Sequence, residues 1–294
     1  MPLKDAAKLS AYFVTVVLVG AILAPPLFWS SQLLAAHGIL TFLTHYSFES
    51  FFHRALLITA LVFLWPLLRS LHLRSFRDLG LEKNPHGVRD VIAGLLLSGL
   101  PLACASMVLI LAKVFLLKTV IPWASIGAIT AAAAVVPLIE ETFFRGLILG
   151  ILLRDLRALT ATFLTSFLFA IVHFLKAPDR TSELVTWYSG FKSIAHSFGQ
   201  FADPIMVLAA FTTLFLLGWI LADARLRTRS LWLPIGLHSG WIFISGMVGK
   251  MTKRPEILPW LGRNLLIGLI PLGLALVSWV LMFGWLRYEN RKRA

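Results

Sequence analysis

One cysteine, Cys104, is present in 294 residues, and acidic side chains number only fourteen. A lone thiol excludes a disulfide framework within the chain and any zinc site built on cysteine pairs. Cys104 falls inside an apolar run and is expected to be a small buried hydrophobe. The shortage of charge says more: 14% of residues are charged, 58% are hydrophobic and the mean hydropathy is +0.83. A soluble domain of this length needs far more polar surface, so the composition implies a polytopic membrane protein. Internal repeats, low-complexity tracts and a composition break are also lacking, so residues 1–294 are expected to form a single integral-membrane domain.

Acidic scarcity leaves a formal net charge of +13. Such an excess can serve nucleic acid, but here the basic residues cluster in short gaps between apolar runs, the pattern of membrane orientation signals. The expected partner is therefore the lipid bilayer and not nucleic acid.

Crossing ~30 Å of hydrocarbon takes about 20 apolar residues. Eight runs are candidates: Leu9–Phe28, Phe51–Leu68, Val91–Leu116, Ser125–Leu149, Thr160–Phe174, Pro204–Leu221, Leu231–Val248 and Leu265–Leu286. The fold class is thus all-α, a bundle of about eight transmembrane helices. The first run follows Lys4 and Lys8 and is longer than a signal-peptide core, so it is read as a retained span. With the N-terminus in the cytoplasm, sixteen Lys and Arg residues fall on the cytoplasmic side and ten opposite, with Arg145 inside its run. An even number of spans then puts both termini in the cytoplasm.

Two connections, Ser30–Ser50 and Ala177–Asp203, mix polar and apolar residues and are expected to be amphipathic helices in the interface plane, with Trp187 to Phe198 a candidate substrate gate. Arg69–Asp90 reads as a basic cytoplasmic linker with a turn at Asp78-Leu79-Gly80-Leu81 and a break at Asn84-Pro85. His37, His45, His53, His72, His86 and His196 read as interface or loop residues, and most of the ten tryptophans as membrane-interface anchors.

Against this apolar background, Glu140 and Glu141 stand out in Val135-Val136-Pro137-Leu138-Ile139-Glu140-Glu141-Thr142-Phe143-Phe144-Arg145-Gly146. Each acidic side chain in mid-bilayer costs about 2.5–3.5 kcal/mol on insertion scales, so something must offset it. Arg145 lies four residues after Glu141, the spacing of an ion pair on one helix face. Glu140 is turned about 100° away and is left for chemistry. His173 and His238 lie within or at the edge of two further runs, and together with Glu140 they form a set that can converge in a bundle interior. At ~1.5 Å per residue, Glu140 and His238 come out at similar depth, and His173 about 10 Å deeper.

One carboxylate and two imidazoles suit hydrolysis: the carboxylate as general base on water, one histidine holding that water or protonating the leaving amine, the other at the oxyanion. The same three residues, Glu140, His173 and His238, also suit a zinc ion with a bound water, and the sequence does not separate the two chemistries.

Glu140-Glu141-x-x-x-Arg145, then Phe169-x-x-x-His173, then Ser230-Leu231-Trp232-x-x-Ile235-x-x-His238 resemble, in order and spacing, the three motifs of the CAAX-protease and bacteriocin-processing family of intramembrane proteases (CPBP, or Abi; Rce1-like). Arg77-Asp78-Leu79-Gly80-Leu81 is similar as well, so the resemblance covers roughly Phe76 to Ser245 and implies a protease-like core over about 76–250. It implies a bundle of eight helices around a catalytic water. Glu140 would activate that water with His173, His238 would serve the oxyanion site, and Glu141 with Arg145 would hold the geometry. The family is described both as metalloproteases and as glutamate-dependent, so no cofactor is fixed and zinc stays open. Its last motif usually reads His-x-x-x-Asn, whereas this chain has Ile242, which donates no hydrogen bond. Ser245 or Ser239 can substitute. That departure weakens the case for prenylated substrates more than the case for proteolysis. The His238-x-Gly240-Trp241 variant resembles bacterial branches, hence a bacterial cytoplasmic membrane. The competing expectation is a catalytically altered scaffold or an immunity or maturation protein of the same fold. A proton-coupled transporter finds no support, since no inverted pair of broken helices is seen.

Overall fold

The structure, a computed structural model, describes residues 3–73, 79, 81, 84–120, 123–173, 184–197, 204–253, 255–257, 259–262, 265 and 267–293. Most of the Arg77–Leu81 stretch and much of the 177–203 connection, Phe198 included, lie outside the described residues. The chain is an all-α membrane protein. Among the described residues, five helices are long and apolar enough to cross a bilayer: α1 (Leu3–Ala36), α2 (Phe48–Ser70), α3 (Gly87–Leu111), α8 (Pro204–Thr228) and α10 (Leu269–Arg293). Between them lie α4 (Trp123–Glu141), a π-helical stretch Thr142–Ile148, α5 (Leu149–Asp155), α6 (Ala158–Val172), α7 (Ser189–Ser197) and α9 (Trp232–Met251).

The chain divides into two compact units, Met1–Arg74 with Ile171–Pro204, and Ser75–Ala170 with Ile205–Ala294. In the first, α1 packs on α2 and α7 around Ala21, Ala24, Phe48, Phe52 and Ala55. The Tyr12 hydroxyl donates to the Ala60 carbonyl at 3.0 Å, giving a buried polar group a partner within the helix pair. Where an amphipathic helix is expected over Ser30–Ser50, α1 instead runs on to Ala36 and a short 3₁₀ turn spans Thr41–His45. Residues 30–36 carry few helix breakers, so the first helix simply continues past its apolar run. Within Ala177–Asp203 the described helix is α7, nine residues long.

In the second unit α3 and α9 run parallel and approach closely because small residues face each other. A methyl group on Gly94 would lie 2.6 Å from the Leu233 carbonyl oxygen, and one on Gly240 2.6 Å from that of Leu95. Lipid supplies no hydrophobic drive between helices, so backbones brought into contact at a Gly-x-x-x-Gly pair, here Gly236 and Gly240, supply the packing. Past the far ends of both helices, a two-residue antiparallel ladder pairs Leu116 with Lys253 and Leu117 with Thr252, pinning the pair. The core of this unit gathers Leu102, Leu217, Leu221, Leu233, Leu237 and Trp241.

Cys104 is exposed, not buried. The buried stripe of α3 runs through Asp90, Gly94, Ser98, Leu102 and Ser106, and position 104 is turned about 200° from Leu102, off that stripe.

Candidate active site

Pro137 sits inside α4 and cannot donate a backbone hydrogen bond, which loosens the helix one turn before the two glutamates. The helix then widens: the Leu149 N–H bonds the Phe144 carbonyl, five residues back, and Thr142–Ile148 is π-helical. Single π turns mark places where a helix is re-aimed, often at functional sites. This one carries Arg145 and follows directly on Glu141.

Arg145 is wholly buried, and so is the Glu141 side chain. Arg145 Nη1 donates to Glu141 Oε1 at 2.8 Å, and Nη2 donates to the Gly218 carbonyl of α8 at 3.0 Å. The guanidinium also lies over the Phe169 ring of α6, 4.4 Å from its centroid. A charge taken fully out of water is tolerable only when paired and hydrogen-bonded, and here a carboxylate, a carbonyl and an aromatic face share that task.

On α9, His238 lies between Gly236 and Gly240, the two positions of closest approach to α3, so its place in the bundle is fixed by backbone packing. It is buried, and its ring stands edge-on to Phe169 at 5.9 Å. Nδ1 is 2.8 Å from Glu141 Oε1. An ionised carboxylate only accepts, so Nδ1 carries the proton and donates. The other nitrogen, Nε2, faces Glu140, with 3.9 Å to its Oε2. That separation is too long for a direct hydrogen bond and within reach of one bridging water. Glu140 is the more accessible of the two acids, its side chain 28% exposed against 0% for Glu141.

The structure therefore joins Arg145, Glu141, His238 and Glu140 in that order, on α4, the π turn and α9. Sequence spacing offers the Arg145–Glu141 pair but not the Glu141–His238 bond, the π turn or the Gly218 carbonyl; the only outward sign of the last is an isolated glycine in the apolar run of α8. His173 occupies a turn directly after α6, is exposed, and is grouped with the other unit. Ser245 is half-buried and its hydroxyl donates to the Ile242 carbonyl of its own helix at 3.4 Å, while Ser239 is buried beside His238. For the zinc set, the fit is poor: among the described residues no three His, Cys, Asp or Glu side chains gather tightly enough to hold a metal ion, and Glu140 and His238 supply two donors.

Fold and site together define an integral membrane helix protein with a buried arginine–carboxylate–histidine centre. Over residues 122–244 the chain matches the Rce1-like family, described as type II CAAX prenyl endopeptidase Rce1-like, the same family that the three motifs resemble. The match contains Glu140, Glu141, Arg145, His173 and His238. No curated protein and no solved structure matches the chain.

Proposed function

We propose that the chain is an intramembrane endopeptidase that hydrolyses peptide bonds of membrane-associated substrates with a water activated by Glu140. The observation that carries this reading is the 3.9 Å gap between Glu140 Oε2 and His238 Nε2, with His238 fixed from behind by Glu141. A water in that gap loses a proton to Glu140 as its oxygen bonds to the scissile carbonyl carbon. The carbonyl oxygen becomes an oxyanion. The carbon–nitrogen bond then breaks as the amine nitrogen takes the proton back from Glu140, leaving a carboxylic acid and a free amine.

His238 holds the water through Nε2. Its Nδ1–H bond to Glu141 sets the tautomer and ring orientation, as the buried acid does in a serine-protease triad. The proton that Glu140 takes from the water passes on to Nε2, so that Nε2–H donates to the oxyanion and Glu141 balances the imidazolium charge; it returns through Glu140 to the leaving nitrogen. Arg145 holds Glu141 in place through its 2.8 Å bond to Oε1. His173, from its motif position, is proposed to hold the same water from the second side, and Ser239 or Ser245 to take the part of the donor that Ile242 does not supply. No step runs through zinc.

The proposed setting is eight spans with both termini in the cytoplasm of a bacterial cytoplasmic membrane. The positive-inside bias supports it, and so does the parallel run of α3 and α9, which that topology requires of its third and seventh spans. The substrate is a protein or peptide held at the membrane, without a requirement for prenylation.

The test is reconstitution in proteoliposomes with membrane-anchored peptides, prenylated and unprenylated, and mass spectrometry of the products. Cleavage of anchored peptides of both kinds is expected. Cleavage of neither, with the protein folded, would favour a scaffold of the same fold.

A further inference from the structure

At one end of the second unit, where α3 begins and α8 and α10 end, lies a cavity of about 750 Å³. Arginines from three separate basic segments line it: Arg89, Arg227 with Arg229, and Arg287. Two of the four are neutralised. Arg89 pairs with Asp90 at 3.2 Å and with Glu289, and Arg227 with Asp223 at 2.9 Å. Arg229 and Arg287 have no acidic partner among the described residues. Arg229 also holds a left-handed backbone, φ 53°, a conformation that side chains other than glycine adopt only when the surroundings impose it. The cavity thus presents two uncompensated guanidinium groups, the donors best suited to a phosphate.

Two apolar grooves adjoin it. One, of about 520 Å³, shares Arg89 and Trp285 with the cavity and continues along Val88, Ile92 and Leu96 of α3. The other, of about 640 Å³, shares Asn84 and Pro85 with the cavity and runs past Val88, Val91 and Trp232. Tryptophans flank both grooves, as they do at the level of lipid headgroups. The arginines come from segments that the charge bias assigns to the cytoplasmic face, where anionic lipids reside. None of the residues of the Glu140–His238 site lines the cavity or the grooves.

We infer that this cavity binds the phosphate of an anionic glycerophospholipid, Arg229 and Arg287 taking the headgroup and the two grooves beside Val88 and Ile92 taking its acyl chains. A free phosphate has the same headgroup chemistry but no use for two grooves. A lipid fits both features, and its seat ties the start of α3 to the ends of α8 and α10.

The test uses the full-length protein, delipidated in detergent, with native mass spectrometry and competition binding. The probes are dioleoyl phosphatidylglycerol, dioleoyl phosphatidylcholine, inorganic phosphate and a prenylated peptide with a free carboxylate. Phosphatidylglycerol is expected to bind in preference to phosphatidylcholine. Arg229→Gln with Arg287→Gln is expected to weaken it about thirtyfold, the product of two interfacial charges. Ile92→Trp, which fills the groove and leaves the arginines in place, is expected to weaken the lipid and spare phosphate. Equal binding of the two lipids, or an unchanged affinity in the double variant, overturns the inference. So does phosphate displacing the lipid mole for mole, which would make the ligand a free anion. Displacement by the prenylated peptide at lower concentration than phosphatidylglycerol would assign the cavity to substrate instead.

Discussion

His238 bonds to Glu141 and not to Glu140: its Nδ1 lies 2.8 Å from Glu141 Oε1, and its Nε2 stays 3.9 Å from Glu140 Oε2. Adjacent acids in the sequence therefore have different surroundings. The wholly buried one joins Arg145 to the imidazole, and the other is the more accessible, its side chain 28% exposed.

This division makes Glu141 and Arg145 separable by experiment. Arg145→Met removes the partner of a buried Glu141 and is expected to cost about 3–5 kcal/mol. Glu141→Gln strands Arg145 and should cost a similar amount. The double variant Glu141→Gln, Arg145→Met removes both charges and should recover most of that loss in a thermal-unfolding assay in detergent. Cleavage should stay low in the double variant, because His238 has lost the carboxylate that orients it. Full recovery of both would reduce Glu141 to a charge partner.

The seat of His238 depends on glycine. A methyl group on Gly240 would press on the Leu95 carbonyl of α3, whereas one at Gly127 or Gly150 meets nothing within 4 Å. Gly240→Ala is expected to cost about 1–3 kcal/mol by overpacking and to lower cleavage as well. Gly150→Ala should leave both unchanged, and the comparison of the two by thermal unfolding and peptide cleavage checks the packing account.

Much of this was legible in the sequence, and what was not has physical causes. Apolar runs gave the helices because a bilayer leaves the backbone few other ways to satisfy itself. Their ends were less legible: α1 extends eight residues beyond the expected Phe28, and the expected fourth span divides into α4, a π turn and α5. The i to i+4 spacing led to the Arg145–Glu141 pair, since both residues ride on one helix. The Glu141–His238 bond joins residues 97 positions apart, and no local period encodes such a contact. Cys104 shows the matching limit: a long apolar run says that a helix is in lipid, and only packing says which side faces protein.

Ile242 stands one turn after His238 on α9, where the family motif has asparagine. Ile242→Asn would add an amide donor on the same face, and cleavage is expected to rise by up to about 10²-fold if that face meets the oxyanion. An unchanged rate in single-turnover cleavage would mean that another donor already fills the role.

With two donors gathered among the described residues where zinc needs three or more, cleavage is expected to persist under a strong chelator and to gain nothing from added zinc. Loss under chelator with recovery on zinc addition would show that His173 completes a metal site with Glu140 and His238.

The most direct measurement compares wild type with Glu140→Gln in the same proteoliposomes, with thermal unfolding recorded for both. The amide keeps the shape of the carboxylate and abolishes its basicity, so cleavage should fall by about 10²–10⁴-fold at unchanged stability. Undiminished cleavage by folded Glu140→Gln protein would contradict the assignment of Glu140 as the base.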